Sequence, residues 1–494
     1  MTQPGPPVPP LMNLSHLIVS GGTFNQHNHI HGGERSGYAR LLENVATAAL
    51  HDSAHVLDPP RCYPNTRVAI IQYIMDWTLR KEEELSGKPI LWLSGGAGAG
   101  KSAIARSVAE RCSDERLLLG TFFFGAADSS RNHVGKLVAT LSYQISIVLP
   151  KFRDAVATFI EDDPLIFNRS IRTQFSTLIV RPLSIAIANC PTASTKTPRL
   201  IIIDGLDECS SIDSQQDLLL ILQEVTSTTT LVRFLVCSRP ESHLNNAFSL
   251  SHMVPIIYRI YLDNDYSARD DIRVYLEGKF KEIKGGHSFR HMLPNPWPAP
   301  EMMYALVDKS SGQFIYASTV VSYVKSPRHR PDHRLDAIFK LRPPFRDLPF
   351  MELDALYRHI ISKAEDVPAS LDILAFPALY GQFGTADIEA LLQLEWGSVE
   401  VTLADLHSII GVSCPSDSRR CVWTLHKSLS DFLSDPQRAG DLYRDMTRAR
   451  VSHIARMISI LSTPEGQWMY HYQFTLHFDI AKPIEDTVLE SLVL

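Results

Sequence analysis

The sequence has few of the features that mark secreted, zinc-binding or membrane proteins. Its seven cysteines show no paired spacing typical of a zinc site or a disulfide framework, so we expect buried thiols in a reducing compartment. The longest apolar stretch, residues 313–324, is shorter than the roughly 20 residues that cross a bilayer. The first ten residues are proline-rich and uncharged, unlike a secretory signal. The sequence therefore predicts a cytoplasmic protein.

The sequence also lacks a large excess of charge of either sign. The formal net charge is −6 over 494 residues, which argues against a general nucleic-acid-binding surface. A chain of this length exceeds what one hydrophobic core supports, so we expect about two to four domains.

The strongest motif is a glycine-rich run between an apolar stretch (89–93) and a helix-like stretch (103–110). This order predicts a strand, a phosphate-binding P-loop and a helix, and the alternative is a glycine-rich turn that matches by chance. Glycines let backbone N–H groups approach a polyphosphate. We expect the lysine to reach the β- and γ-phosphates and the serine hydroxyl to bind Mg²⁺. The predicted nucleotide-binding residues here are Gly95, Gly96, Ala97, Gly98, Ala99, Gly100, Lys101 and Ser102.

About a hundred residues after the P-loop, a second apolar strand begins at residue 199 and ends in acidic residues. This is the pattern of a Walker B strand, and we expect Asp204 to lie beside the P-loop and hold Mg²⁺. Asp207 and Glu208 follow on the next turn, where either could orient or deprotonate an attacking water. The next strand, 231–238, ends at Arg239, which could contact the γ-phosphate or form a surface ion pair.

Further strands are predicted at 117–125 and 256–262, with helices between them. Together these elements predict an α/β fold: a parallel P-loop NTPase sheet with helices on both faces and nucleotide at its carboxyl edge. Residues 346–436 predict a winged-helix domain. Its helices are expected at 353–364, 371–379, 386–394 and 401–410, and a hairpin is expected around the turn 415–420.

Residues 95–102, 204–208 and 238–240 resemble the motifs of the NACHT group of STAND P-loop NTPases. The small residue after the Walker B aspartate, followed by two more acids, is the discriminating feature. Residues 61–67 and 163–167 are similar to fungal proteins of the NOD-like-receptor type with a nephrocystin-3-like NACHT domain. The resemblance spans about residues 57–436.

The resemblance implies an ATP/ADP-binding signalling switch with Mg²⁺, slow hydrolysis that resets it, and assembly of copies when active. It also implies an unknown signalling partner and a role in fungal immunity or programmed cell death. His426 is expected at the ADP β-phosphate, or else as a histidine buried at a domain interface. Phe314 stands where relatives place a proline against adenine. A constitutive AAA+-like ATPase or remodelling motor is the alternative function.

The predicted domains are a tail (1–36), a helical lead-in (37–80), the NTPase (81–262), a helical domain (263–345), the winged helix (346–436) and a helical segment without repeats (437–494). In the tail, His27, His29 and His31 could share one face of a strand. Three interpretations stay open: an unstructured tail, a metal site, and a cross-β segment at 14–33. The activating ligand, the downstream effector and the number of subunits do not follow from these patterns.

Overall fold

The computed structural model describes residues 36–55, 59–81, 87–126, 128–188, 199–262, 267–340, 350–413 and 420–461. The expectations for the histidine-bearing tail, most of the turn at 415–420 and the segment from 462 onward lie outside these residues.

A five-stranded parallel sheet forms the centre of the first half of the chain. Its strands lie in the order β2-β3-β4-β1-β5. They are β1 (Ile90–Ser94), β2 (Leu118–Phe123), β3 (Arg199–Asp204), β4 (Val232–Ser238) and β5 (Ile257–Tyr261). This architecture confirms the predicted α/β class.

Both faces of the sheet are covered by helices. Alternate residues of one strand enter two different cores: Ile201 and Ile203 pack on one side, whereas Leu200 and Ile202 pack on the other. The helices of this half are α1 (Ser36–Glu43), α2 (Val68–Thr78), α3 (Lys101–Asp114), α4 (Leu137–Val148), α5 (Pro150–Asp162), α6 (Ile171–Phe175), α7 (Arg181–Ala188), α8 (Ile212–Thr228) and α9 (Ser242–Phe248). A π-helical turn, Ser176–Val180, joins α6 to α7.

A helical region follows the sheet. It contains α10 (Ser267–Gly286), α11 (Pro300–Lys309), α12 (Phe314–Val324) and α13 (Pro331–Lys340). Most residues of α12 are buried, because the helix packs between α10, α13 and the elements that come after it.

The last described region contains a small antiparallel sheet in the order β6-β8-β7. Its helices are α14 (Met351–Ile361), α15 (Val367–Tyr380), α16 (Thr385–Leu392), α17 (Ser398–Thr402), α18 (Lys427–Ser434), α19 (Pro436–Ala439) and α20 (Met446–Leu461). The strands are β6 (Gln382–Gly384), β7 (Ile410–Ser413) and β8 (Cys421–Thr424). The two strands predicted to flank the turn at 415–420 therefore pair with each other.

Two predicted helices are wrong in part. Within the helical lead-in predicted over 37–80, the sequence pattern favours one helix over 38–50, but the helix ends at Glu43 and only a short turn, Thr47–Ala49, follows. The helix predicted over 401–410 ends at Thr402, and Ile410 begins β7 instead. The pairing of β7 with β8 outweighs local helical preference here, and the Trp423 ring fills the space that a side chain at Gly411 would need.

Candidate functional site

The P-loop connects β1 to α3 at the carboxyl edge of the parallel sheet. Gly98 and Gly100 have φ angles of +76° and +93°, which side-chain-bearing residues rarely adopt. A Cβ atom at Gly98 would also lie 2.1 Å from a methyl carbon of Ile315 on α12. The loop therefore needs glycine at 98 for its backbone turn and for its contact with the helical region.

Lys101 is the first residue of α3 and folds over the loop. Its Nζ donates to the carbonyl oxygens of Gly95 (2.7 Å) and Gly96 (2.8 Å). Burial lowers the pKa of Lys101, and the carboxylates of Asp207 and Asp204 oppose that shift. The ammonium group is thus held by the loop carbonyls and lies within electrostatic reach of the acids at and after the end of β3.

Asp204 and Ser102 are brought together, as predicted. Asp204 is buried at the end of β3, and this burial raises its pKa to about 6. A hydrogen bond from the Ser102 hydroxyl to the carboxylate opposes the rise. Its Oδ1 is buried and has no hydrogen-bond partner within the described part of the chain. A buried carboxylate oxygen beside a hydroxyl is a donor set that fits Mg²⁺, since this ion prefers oxygen ligands.

Asp207 and Glu208 lie on the short helical turn that follows β3, and both are already paired. Asp207 accepts a hydrogen bond from the Arg239 backbone N–H (3.1 Å) and lies 3.4 Å from the Arg239 Nε. Glu208 accepts from the Ala126 N–H (3.0 Å) and lies 3.6 Å from Lys427 Nζ on α18. The two predicted catalytic acids therefore reach the edge of the site but are held by other groups.

Arg239 follows β4 and joins the sheet to α18. Its guanidinium donates to Asp431 Oδ2 at 2.9 Å. Burial acts to lower the pKa of Arg239, but the negative charges of Asp431 and Asp207 outweigh it and raise the pKa. Arg239 is thus a fixed cation at the carboxyl edge, bound to an acid from the other half of the molecule.

His426 caps the amino end of α18. Its Nδ1 accepts the Ser428 backbone N–H at 3.0 Å, which places the ring proton on Nε2. Burial and the charge of Arg239 lower the pKa of His426 to about 4, and Lys101 contributes in the same direction. His426 is therefore a neutral donor within electrostatic reach of the P-loop lysine.

A cavity of about 480 Å³ separates the P-loop from α18 and α19. Gly96, Ala97 and Arg239 line one side, and Ser428 and Asp431 line the other. The carboxyl edge of the sheet is therefore roofed by the region that carries His426.

Some residues of the site were not predicted from the sequence. Arg67 is buried before α2, donates to the Ala99 carbonyl at 3.1 Å and lies 5.1 Å from the centre of the Phe314 ring. Arg67 therefore links the Phe314 ring to the P-loop. Arg67 belongs to the stretch 61–67 that resembles fungal NACHT proteins, but that stretch does not indicate a contact with the P-loop. Asp431 lies 192 residues from its partner Arg239, so no local signal marks it.

The loop, the buried acid and the strand order define this domain as a nucleotide-binding P-loop NTPase. Residues 74–239, about a third of the chain, match the family model described as nephrocystin 3, N-terminal. The match confirms, for that segment, the resemblance to nephrocystin-3-like NACHT-type P-loop NTPases. No curated protein matches the sequence.

Several solved structures are similar to the chain. The Walker-type ATPase PABY2304 of Pyrococcus abyssi has 16% identity and a TM-score of 0.36, over 76% of this chain and 99% of that one. The ORC1 protein of Aeropyrum pernix in complex with DNA has 16% identity and a TM-score of 0.34, over 79% and 96%. The Cdc6p protein of Pyrobaculum aerophilum has 11% identity and a TM-score of 0.34, over 80% and 99%. At these scores the likeness carries no inference about function.

Among the described helices, none is both long and apolar enough to span a membrane.

Proposed function

We propose that this chain is an ATP/ADP-dependent signalling switch of the NACHT type, in which the region carrying α18 closes over the P-loop. The observation that carries the proposal is the ion pair between Arg239 and Asp431. The cation expected at the γ-phosphate is bound to an acid of the covering region, 2.9 Å away. An arginine in this pair is withheld from a γ-phosphate, so closure favours ADP over ATP.

Two further contacts support closure as the inactive arrangement. Lys427 lies against Glu208, and the neutral His426 projects from the same helix terminus. A donor there suits a diphosphate, in line with the role expected from the resemblance. A few kcal/mol of differential nucleotide affinity between closed and open forms is enough to shift their populations.

The chemistry of hydrolysis is assigned to the residues around β3. The P-loop amides and Lys101 bind the phosphates, and Ser102 and Asp204 hold Mg²⁺, which when bound neutralises charge on the γ-phosphate. Asp207 or Glu208 orients the water and accepts its proton. Since both acids are paired in the closed arrangement, we expect slow hydrolysis that resets the switch.

The order helix, strand, two helices and two strands over residues 367–424 supports a winged-helix domain, with α17 at the position of a recognition helix. The α17 sequence, Ser-Val-Glu-Val-Thr, contains no lysine or arginine, which argues for a protein contact and against DNA. The proposal therefore includes self-association when ATP replaces ADP and an as yet unidentified protein partner. A role in fungal immunity or programmed cell death follows from the resemblance alone.

The test is mass spectrometry of nucleotide extracted from purified protein, combined with light scattering to measure its mass. We expect ADP in a monomer, and assembly after exchange for ATP. A hexamer that turns over ATP rapidly without any trigger supports the AAA+-like motor instead and refutes the switch.

A further inference from the structure

A second cavity lies at the opposite edge of the parallel sheet. It has a volume of about 760 Å³ and is bounded by the starts of β2 and β3, the end of α3 and the end of α4. We call it the rear hollow; its principal lining residues are Arg116, Leu118, Tyr143, Ile147, Val148 and Arg199. Because α3 has 14 residues, the hollow lies about 20 Å from the P-loop along this helix.

The charges of the rear hollow are unbalanced. Arg116 and Arg199 have no carboxylate partner among the residues that the structure describes. Burial lowers the pKa of Arg199 with no described carboxylate opposing it. Of the acids nearby, Glu115 pairs with Arg111 at 3.1 Å, whereas Asp52 is an exposed carboxylate that lies 3.8 Å from His51, whose pKa burial lowers; two cations therefore face one uncompensated acid. Two guanidinium groups are thus available to an anionic ligand.

The same hollow exposes apolar surface. Ile147 and Val148, at the end of α4, are 62% and 39% exposed, and Leu118 forms part of the floor beside them. Exposed apolar side chains beside unpaired cations suit a ligand that carries both carboxylates and aliphatic groups. A free phosphate or a nucleotide would leave the apolar part uncovered.

One segment outside the described residues has this composition. Residues 484–494 contain three carboxylates, no cation and six aliphatic side chains. The other such segments either carry cations or lack this aliphatic content; residues 82–86, for example, have three glutamates and one leucine. The 22 residues between Leu461 and 484 can span about 70 Å, so reach does not limit docking.

We propose that the rear hollow is a peptide-binding site whose occupant is residues 484–494 of this chain. Glu485, Asp486 and Glu490 pair with Arg116 and Arg199, and the leucines and valines cover Ile147 and Val148. The site does not depend on nucleotide chemistry, so its failure and the failure of the proposed switch are separate results.

Hydrogen–deuterium exchange of the full-length protein tests this proposal. We expect the amides of 484–494 to exchange at least about tenfold faster in the double variant Arg116→Glu/Arg199→Glu, since two attractions become repulsions. The matched control is Lys281→Glu/Arg290→Glu, which makes the same charge change at two exposed sites of α10 and the turn after it. Equal exchange of 484–494 in the wild type, the double variant and the control overturns the proposal.

The reversed variant, Glu485→Lys/Asp486→Lys, leaves the rear hollow unchanged. It therefore tests the same contact even if Arg116→Glu/Arg199→Glu fails to fold. Alone it should speed exchange of 484–494, and combined with Arg116→Glu/Arg199→Glu it should restore slow exchange. Failure of this restoration in a combination that keeps its native circular dichroism also overturns the proposal.

Discussion

The parallel sheet and the region from α14 to α20 contribute to the same site in different ways. The sheet and the adjoining P-loop and α3 supply the groups expected to hold phosphate and metal: the loop, Lys101, Ser102 and Asp204. The second region supplies Asp431, Lys427 and His426, and two of these bind the groups expected to act on the γ-phosphate. Nucleotide binding should therefore depend on the first region, while exchange and turnover should depend on how tightly the second is held against it.

The largest effect is expected from a substitution in the P-loop region of the first half of the chain. Lys101→Ala should weaken ATP and ADP binding by about two to three orders of magnitude, because it removes the half-buried cation proposed to bind the phosphates. Isothermal titration calorimetry measures this loss. Lys281→Ala, at an exposed lysine of α10, is the control, and unchanged ADP affinity in Lys101→Ala removes the P-loop from the proposed function.

The next effect concerns turnover. Glu208→Gln should slow ATP hydrolysis by about a hundredfold and leave ATP bound, because an amide cannot accept the proton of the attacking water. Phosphate release from a single turnover measures the change. Glu224→Gln, at an exposed acid paired with Arg172, should leave the rate unaltered. A normal rate in Glu208→Gln would assign the proton transfer to Asp207.

The variant Asp431→Asn tests the contact between the two regions. This variant removes the contact of Arg239 with the covering region and leaves its contact with Asp207, and we expect ADP to dissociate about tenfold faster because a partly buried charge pair is lost. A fluorescent ADP analogue measures dissociation by stopped flow. Asp441→Asn breaks the exposed pair with Arg358 in the same region and should not change the rate. Equal rates in both variants mean that closure does not restrain ADP.

A smaller effect is expected at the cap of α18. His426→Ala should speed ADP release by about threefold, the size of one neutral hydrogen bond. The same stopped-flow measurement applies, and His407→Ala, at a histidine of the same region whose Nδ1 lies 3.1 Å from the Ala404 carbonyl oxygen, is the control. No change in His426→Ala would leave this histidine with a capping role only.

A further effect at the same histidine is a pH dependence of stability. The pKa of His426 is about 4 in the folded protein, against about 6.5 when unfolded, so the unfolded chain binds more protons between these values. The stability contributed by the neutral ring is complete above pH 6.5 and is lost as pH falls towards 4. Thermal melts of the wild type should therefore drop more steeply over this range than those of His426→Ala. Parallel curves would show that His426 does not contribute.

The sequence allowed prediction of the groups that belong to continuous elements. Asp204 and Ser102 meet because carboxyl ends of parallel strands share one edge, a rule that needs no coordinates. Arg239 could be located at the tip of β4 for the same reason. The strands around 415–420 were also predicted, since each is a short apolar run beside turn residues.

The pairing of distant groups could not be predicted. Asp431 reaches Arg239 only because α18 packs over the P-loop, and packing between separate domains leaves no periodic trace in a sequence. The helix predicted over 401–410 failed for a related reason. Ile410 pairs with Thr424 across the small sheet, so its conformation is set by a strand that comes later in the chain.

Gly98 shows how closely the P-loop packs against α12. One carbon atom added there would act as a wedge against Ile315 and push α12 outward. The close approach of α12 to the P-loop therefore depends on a residue without a side chain at position 98, and any larger residue there would have to displace Ile315.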